Sequence, residues 1–365
     1  MLKREQRRSG AWEAEVSAAE PSRARHVVVV LGVDRSGTSL LMNMLNVIGV
    51  RLSTNLLEAN PGNPRGHFES HEIVFIHDHI LGNLDLNWSI PGYEGGLHGA
   101  WWQRPDCIPF KRQLVEFLRP HIAGSAPFGF KDPRTARLLP LWREIFAELE
   151  IQPVYILAVR HPNAVAQSLG TRSQIDPLHA ELLWLERYVD ALTYTRGEIA
   201  TIVHYEDWFS APERVARRLI ASLGFDWPGD ALDLQDMMRD YVVPDLRRHV
   251  QVSDTFRLPL TAELYSALKS EDRARLASLA ETGRTAFGLC RHAVEHAAGR
   301  LRPQIAEADE RIRSLTAELE SERERCAELA RALDAAGRRE AVPDVRLEVD
   351  GGLDSPADFA TPAGE

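Results

Sequence analysis

The sequence predicts a three-layer α/β fold: a central parallel sheet of about five strands flanked by helices, continued by a long C-terminal helix of coiled-coil character. Three observations predict it. His26 to Gly32 is a β-branched run without polar alternation, the pattern of a strand covered on both faces inside a parallel sheet. Short β-rich segments near Phe128, at 153–162 and at 199–208 are interleaved with helical stretches such as 135–149 and 176–196, and this alternation implies right-handed crossovers. From about residue 298 the apolar positions move to alternating steps of three and four, the a/d spacing of a coiled coil.

These changes of character divide the chain. Residues 1–25 are charged and Ala-rich without an apolar face and read as a flexible tail. The folded domain is expected over 26–297 and the heptad helix over 298–338, while 339–365, poor in large apolar residues, reads as a disordered tail. Ile305, Ile312, Leu315, Leu319, Leu329 and Leu333 set the helical seam, and Glu322 and Cys326 interrupt it. The pattern fits a homodimer through this helix, and also a single amphipathic helix lying against its own domain.

A net charge of −10 over 365 residues argues against bulk attraction to nucleic acid or to an anionic membrane, so any anion site must be built locally. Cys107, Cys290 and Cys326 are widely spaced, which indicates neither a disulfide framework nor a metal site and suits a reducing, cytoplasmic setting. The longest strongly apolar run, Val27 to Val33, is too short to span a bilayer, so no stable membrane insertion is expected.

The first strand leads into Gly32-Val33-Asp34-Arg35-Ser36-Gly37-Thr38-Ser39, after which Leu40, Leu41, Met44, Leu45 and Ile48 recur at helical spacing up to Gly49. A glycine loop between a buried strand and a helix N-terminus can converge its N–H groups on a phosphate, which is the P-loop arrangement. The position that carries lysine in a nucleoside-triphosphate loop holds Thr38, so a kinase or NTPase loses weight. Arg35 can supply the missing cation, and Ser36, Thr38 and Ser39 add hydroxyl donors.

With Arg35-Ser36-Gly37-Thr38 after its first strand, the chain resembles the sulfotransferases that use 3′-phosphoadenosine 5′-phosphosulfate, particularly their bacterial and Golgi-type branches. YILAVRHPNAVAQSL matches that family's second element, a strand ending in arginine and a serine eight residues on. The resemblance implies that Arg160 and Ser168 grip the 3′-phosphate of the co-substrate, while Arg35, Ser36, Gly37, Thr38 and Ser39 hold the phosphosulfate. HYEDW is similar to a family segment whose tyrosine lies near the adenosine, which makes Tyr205 a further co-substrate candidate. Arg247, Arg248 and His249 loosely match a basic segment that closes over the 3′-phosphate in some relatives. The resemblance spans roughly residues 26–260 and implies a P-loop-type fold, a hydroxyl-bearing acceptor and no metal.

A hydroxyl acceptor is a poor nucleophile at neutral pH, so the transfer benefits from a general base and from cations on the sulfate oxygens. Glu69 in GHFES resembles an acceptor-side glutamate of bacterial relatives and is the candidate base, with His67 and His71 as rivals and a helix first-turn role as the bland alternative. Lys131 in FGFKDPR is the candidate catalytic cation, with Asp132 and Arg134 expected to support the cleft. The aperiodic stretch 87–103 is open to a lid role, in which Trp101 and Trp102 either stack on an acceptor or pack beneath the loop. The expectation is a cytoplasmic sulfotransferase acting on a carbohydrate, lipid or small-molecule hydroxyl. A P-loop nucleotide kinase, or a non-catalytic scaffold working through its C-terminal helix, is the alternative.

Overall fold

An unbroken apolar run leaves no side of the first strand for water, and the chain covers both. The structure, a computed structural model, describes residues 26–60, 63–94, 97–124, 126–224, 242 and 252–337. β1 (His26–Leu31) sends Val27, Val29 and Leu31 into one core and Val28 and Val30 into the other, as the two-residue side-chain period requires. It pairs in parallel with β2 (Phe128–Lys131) on one side and β3 (Gln152–Val159) on the other, and β3 pairs in parallel with β4 (Ile199–His204). The sheet order is β2-β1-β3-β4.

The helices are α1 (Thr38–Val47), α2 (His71–Asn83), α3 (Ile108–His121), α4 (Thr135–Glu148), α5 (Pro162–Ser173), α6 (Pro177–Thr195), α7 (Asp207–Ser210), α8 (Pro212–Leu223), α9 (Pro259–Ser270) and α10 (Arg273–Gly337). Leu41 and Leu45 of α1 join Val215 and Leu219 of α8 in the core on one face. Residues of α2, α3, α4, α5, α6 and α9 fill the core on the other, so helices flank the sheet on both sides. Local chemistry sets the longest of these within the sheet domain: the Asp176 carboxylate caps α6 by accepting from the N–H groups of Leu178 and His179 at 2.8 and 3.2 Å, and Pro177 fills the first turn.

Among the described residues the sheet has four strands, where about five were expected. Outside β2 the neighbouring position is held by one residue, Arg51, which makes a parallel bridge to Phe128. The chain there, Val50 to Ser53, turns away after exchanging Arg51 N–H to Pro127 O and Gly129 N–H to Arg51 O, both at 2.8 Å.

The loop from Asn87 to Pro91, which leads into a 3-10 turn at Gly92–Glu94, lacks regular structure but not anchorage. Arg137 donates to the carbonyls of Asn87 and Ile90 at 3.0 and 2.5 Å, and Arg187 donates to that of Trp88 at 2.8 Å. Both guanidinium groups share the Glu186 carboxylate, at 2.7 and 2.8 Å, and all three side chains are buried. The other Glu186 oxygen accepts from Gly92 N–H at 2.5 Å, and a Cβ at Gly92 would lie 2.8 Å from that oxygen, so a larger residue there would have to push the carboxylate aside. Arg137 and Arg187 outweigh burial and hold the Glu186 carboxyl below its usual range.

By its internal contacts the chain divides into two units, 1–297 and 298–365. The described part of the second is helical to Gly337 and contains Pro303, and residues 301–336 are all exposed. The two tails expected from the sequence, 1–25 and 339–365, lie outside the described residues.

Removing one member of a buried charge triad leaves the others without a counter-charge. Glu186→Ala is therefore expected to cost about 3–5 kcal/mol of unfolding free energy in a urea titration, and a loss below about 1 kcal/mol would show that the arginines do not depend on it.

Candidate active site

All four strands end on one edge of the sheet, and each delivers a piece of the site there. β1 runs into the Gly32–Gly37 loop, β2 ends on Lys131, β3 is followed by Arg160 and β4 by Tyr205. Chain direction across the sheet reverses between β1 and β3, the point at which an open parallel sheet leaves a crevice beyond its strand ends. A cavity of about 440 Å³ occupies that place, within the usual size range of small-ligand sites. Of the residues singled out from the sequence for chemistry, Arg35, Gly37, Thr38, Ser39, Glu69, Lys131, Arg160, Ser168 and Tyr205 line it.

Of the loop residues 35–39, Ser36 does not line it. Its hydroxyl and its N–H both donate to Val33 O, at 2.7 and 3.2 Å, and the side chain is buried. The expected ligand donor instead closes the loop on itself, because a buried hydroxyl takes the nearest carbonyl. Arg35, just before it, has φ 68°, a left-handed conformation that a long side chain seldom adopts and that turns it toward the cavity side.

Two segments far apart in sequence are joined here. Arg160 Nη1 donates to Arg35 O at 3.0 Å across 125 positions, and Arg35 Nε donates to Ser168 Oγ at 2.9 Å across 133. The Arg160 guanidinium carbon lies 4.4 Å from the centre of the Tyr205 ring, a cation–π distance. From behind, Trp184 Nε1 of α6 donates to Arg160 O at 3.0 Å, and Tyr205 N–H donates to Val159 O at 2.7 Å. Gly37, φ 89°, caps α1 where the Tyr205 ring lies against it, and any Cβ would collide with that ring.

On the opposite wall, Lys131 donates to Glu69 Oε1, and the two are 2% and 7% exposed. Burial pushes the Glu69 carboxyl up from its ordinary range, Lys131 opposes, and the nearby Asp132 and Asp34 add to the rise. Glu69 precedes the helix, whose N-cap is Ser70 and whose first-turn acid is Glu72, so its carboxylate is not the helix-dipole partner that its position suggested. The connection to the loop runs through Ser39, which donates to His67 O at 3.1 Å and accepts from Asn63 Nδ2 at 3.1 Å.

Of the rival bases, His67 lines the cavity with its Nε2 2.8 Å from Asn60 Nδ2, and burial lowers its pKa. His71 is exposed and outside the cavity lining, its N–H bonded to Asn55 O at 3.0 Å. Asp132 is buried beneath the wall: it accepts from Arg134 N–H at 2.7 Å and Arg134 Nη1 at 3.1 Å, and lies 3.4 Å from His77 Nδ1. Burial would raise its pKa, but Arg134 and His77 together hold it far below the carboxylate range. Arg134, also bonded to Asp78 at 2.7 Å, reaches the cavity that Asp132 does not.

Among the lining residues that the sequence did not single out are Asp34, Arg65, Trp88 and Arg172. Arg172 was legible, since it stands one helical turn beyond Ser168 on the same face. Asp34 was not, because an acid in a phosphate loop runs against expectation; burial pushes its carboxyl up despite Arg134, Arg187 and Lys131. Trp101 is buried in the core, and Trp102 Nε1 donates to Glu144 at 2.6 Å; neither lines the cavity. Arg247, Arg248 and His249 lie outside the described residues. Among the described residues no cluster of three or more His, Cys, Asp or Glu is placed to hold a metal, and no helix is long and apolar enough to cross a membrane.

The model of the sulfotransferase family matches residues 28–229. The sulfotransferase domain from the Synechococcus PCC 7002 olefin synthase is similar at 19% identity and a TM-score of 0.38, over 72% of this chain and 97% of that one. The sulfotransferase domain from the curacin biosynthetic pathway is similar at 19% identity and a TM-score of 0.35, over 57% and 77%. No curated protein matches.

Gly37→Ala forces both an unfavourable φ and a clash with the Tyr205 ring. Urea unfolding should show a loss of roughly 1–3 kcal/mol, together with altered Tyr205 ring signals; an unchanged midpoint and spectrum would mean that the ring does not rest on this glycine.

Proposed function

This chain belongs to the sulfotransferase family, and from that premise we propose that it transfers a sulfuryl group from 3′-phosphoadenosine 5′-phosphosulfate to a hydroxyl-bearing acceptor, a carbohydrate, a lipid or a small molecule. The observation that carries this reading is the meeting of Arg160 and Ser168 with the Arg35 loop at one cavity. A nucleotide with anionic groups at both ends needs two anion pockets within one molecule's reach, and a nucleoside triphosphate does not need the second. The donor set suits it: Arg35, Lys131 and Arg160 line the cavity beside the hydroxyls of Thr38, Ser39 and Ser168.

When bound, the co-substrate supplies an activated sulfuryl group and leaves as adenosine 3′,5′-bisphosphate. The loop Arg35–Ser39 and the free N–H groups of the first turn of α1 take the phosphosulfate end. Arg160 and Ser168 take the 3′-phosphate, with Tyr205 holding the guanidinium flat from the other side. Glu69 accepts the acceptor's hydroxyl proton as its oxygen bonds to sulfur, and burial, which raises its pKa, makes it a better match for that task than an exposed glutamate. Lys131 holds Glu69 in place and, with Arg35, offsets charge on the departing group. The cations of this scheme are side chains, and it calls for no metal. Cys107, Cys290 and Cys326 are free thiols, in keeping with a cytoplasmic protein. Residues 298–337 stand outside this chemistry and are read as an assembly element.

Arg160→Ala should weaken binding of adenosine 3′,5′-bisphosphate by roughly 10- to 100-fold in calorimetry, while adenosine 5′-phosphate, without the 3′ group, loses little; equal losses for both ligands remove Arg160 from the 3′ pocket. The base has its own test. A base acts only when deprotonated, and the folded pKa of Glu69 is raised from 4.5, so activity should climb with pH along a limb displaced above the ordinary glutamate range. Glu69→Gln should lower kcat by about 10²- to 10⁴-fold and erase that limb; a limb that survives the substitution points to His67 instead.

A further inference from the structure

The second unit carries an exposed apolar stripe. Leu301, Ile305, Ile312, Leu315, Leu319, Leu329 and Leu333 are between 47% and 80% exposed, and they fall on one seam of a 3.5-residue repeat. An apolar stripe of this kind, running along a helix on the order of 60 Å long, is an interaction surface rather than a tolerated solvent face. What covers it can be argued from the identities of the residues.

We infer that residues 298–337 pair with the same segment of a second copy of this chain as a parallel, in-register, two-stranded coiled coil. The inference stands apart from the transfer chemistry and uses none of its residues. With Ile305, Ile312, Leu319, Cys326 and Leu333 at a, the d positions are Leu301, Ala308, Leu315, Glu322, Leu329 and Ala336. The two β-branched residues stand at a and three leucines at d, the distribution that selects two parallel strands over three or four. Pro303 falls at f, away from the seam, and the repeat continues past it.

The flanking charges agree with that pairing. In register, each g residue faces the e residue of the next heptad on the other copy. Glu318 then meets Arg323, and the remaining pairs, Gln304 with Asp309, Arg311 with Thr316, Arg325 with Ala330 and Ala332 with Gly337, bring no like charges together. Glu322 is the one charged core residue. Its carboxylate already accepts from Arg325 Nη1 of its own helix at 2.6 Å, and in register the d layer sets it opposite Glu322 of the other copy, with Arg323 of that copy beside it. Any shift of register sets each Glu322 against Leu315, Leu329 or another apolar layer and so spoils two layers, whereas in register the like-charged pair weakens one layer and is offset by the arginines at 323 and 325 of both copies, so a residue that weakens the seam also biases its alignment.

The same alignment brings Cys326 opposite its own copy in an a layer, which supplies the test. The full chain should sediment at twice its 41.0 kDa under reducing conditions. With Cys290→Ser in place, mild oxidation by copper phenanthroline should yield a covalent dimer through Cys326 on a non-reducing gel, and Cys326→Ser should abolish it. The double variant Ile312→Asp, Leu319→Asp should sediment as a monomer and still bind adenosine 3′,5′-bisphosphate unchanged, which separates assembly from the ligand site. A monomeric or trimeric parent, or a dimer that survives both aspartates, overturns the inference. So does a reducible dimer in which Cys326 never cross-links, since that excludes the parallel register.

Discussion

The site depends on one guanidinium. Arg160 follows the strand beside β1, and three of the four strand ends meet at its side chain: it donates to the carbonyl of Arg35, which follows β1, and packs over Tyr205, which follows β4. Its own carbonyl is held by Trp184 and the preceding one by Tyr205 N–H. A planar group with five donors can bond a loop, lie on a ring and still turn an edge to a cavity, which an ammonium cannot. The reversal of chain direction between β1 and β3 makes this possible, because crossovers leaving to opposite sides open a space that neither helix fills.

Around that point the backbone takes conformations that a relaxed chain avoids. Arg35 and Phe68 have φ of 68° and 56°, and both line the same cavity. Such residues persist only where the surroundings over-determine them. Here the surroundings are specific: Ser36 closes the loop on Val33 O, Ser39 ties it to His67 O, and Leu57 N–H fixes Glu69 O at 2.8 Å. The loop Asn87–Pro91, which carries Trp88 into the cavity lining, is held by the buried Arg137, Glu186 and Arg187 instead of by regular structure.

Much of the fold was legible because it follows from short-range pattern. The β-branched run at 27–31, the apolar period of α1 and the interleaving of strands with helices each report a local fact, and the parallel sheet is their sum. A strand count of five was not local: it came from the fold class, and the edge position beside β2 holds one bridging residue, Arg51. The loop at residues 35–39 was visible through spacing, whereas the hydroxyl direction of Ser36 depends on a carbonyl three residues back that no pattern encodes. Glu69 could be located, but its pairing with Lys131 joins segments that only the sheet brings together. Trp101 and Trp102 illustrate the limit of composition: aromatic residues in an aperiodic stretch look alike whether they serve a ligand or, as here, the core and Glu144.

The electrostatics of the cavity follow from the same geometry and not from the average charge. A chain of net charge −10 lines this one crevice with Arg35, Arg65, Lys131, Arg134, Arg160 and Arg172 against the carboxylates of Asp34 and Glu69. Walls of low dielectric focus such a cluster, while the acidic remainder of the surface repels other anions over no more than a Debye length of roughly 8–10 Å. Anionic ligands are therefore favoured at the crevice and disfavoured elsewhere. Within it Lys131 is bonded to Glu69 and Arg134 to Asp132 and Asp78, while the loop after β1 brings Arg35 and α5 brings Arg172. On the proposed reading, a ligand with anionic groups at two ends would draw on cations from more than one of these elements.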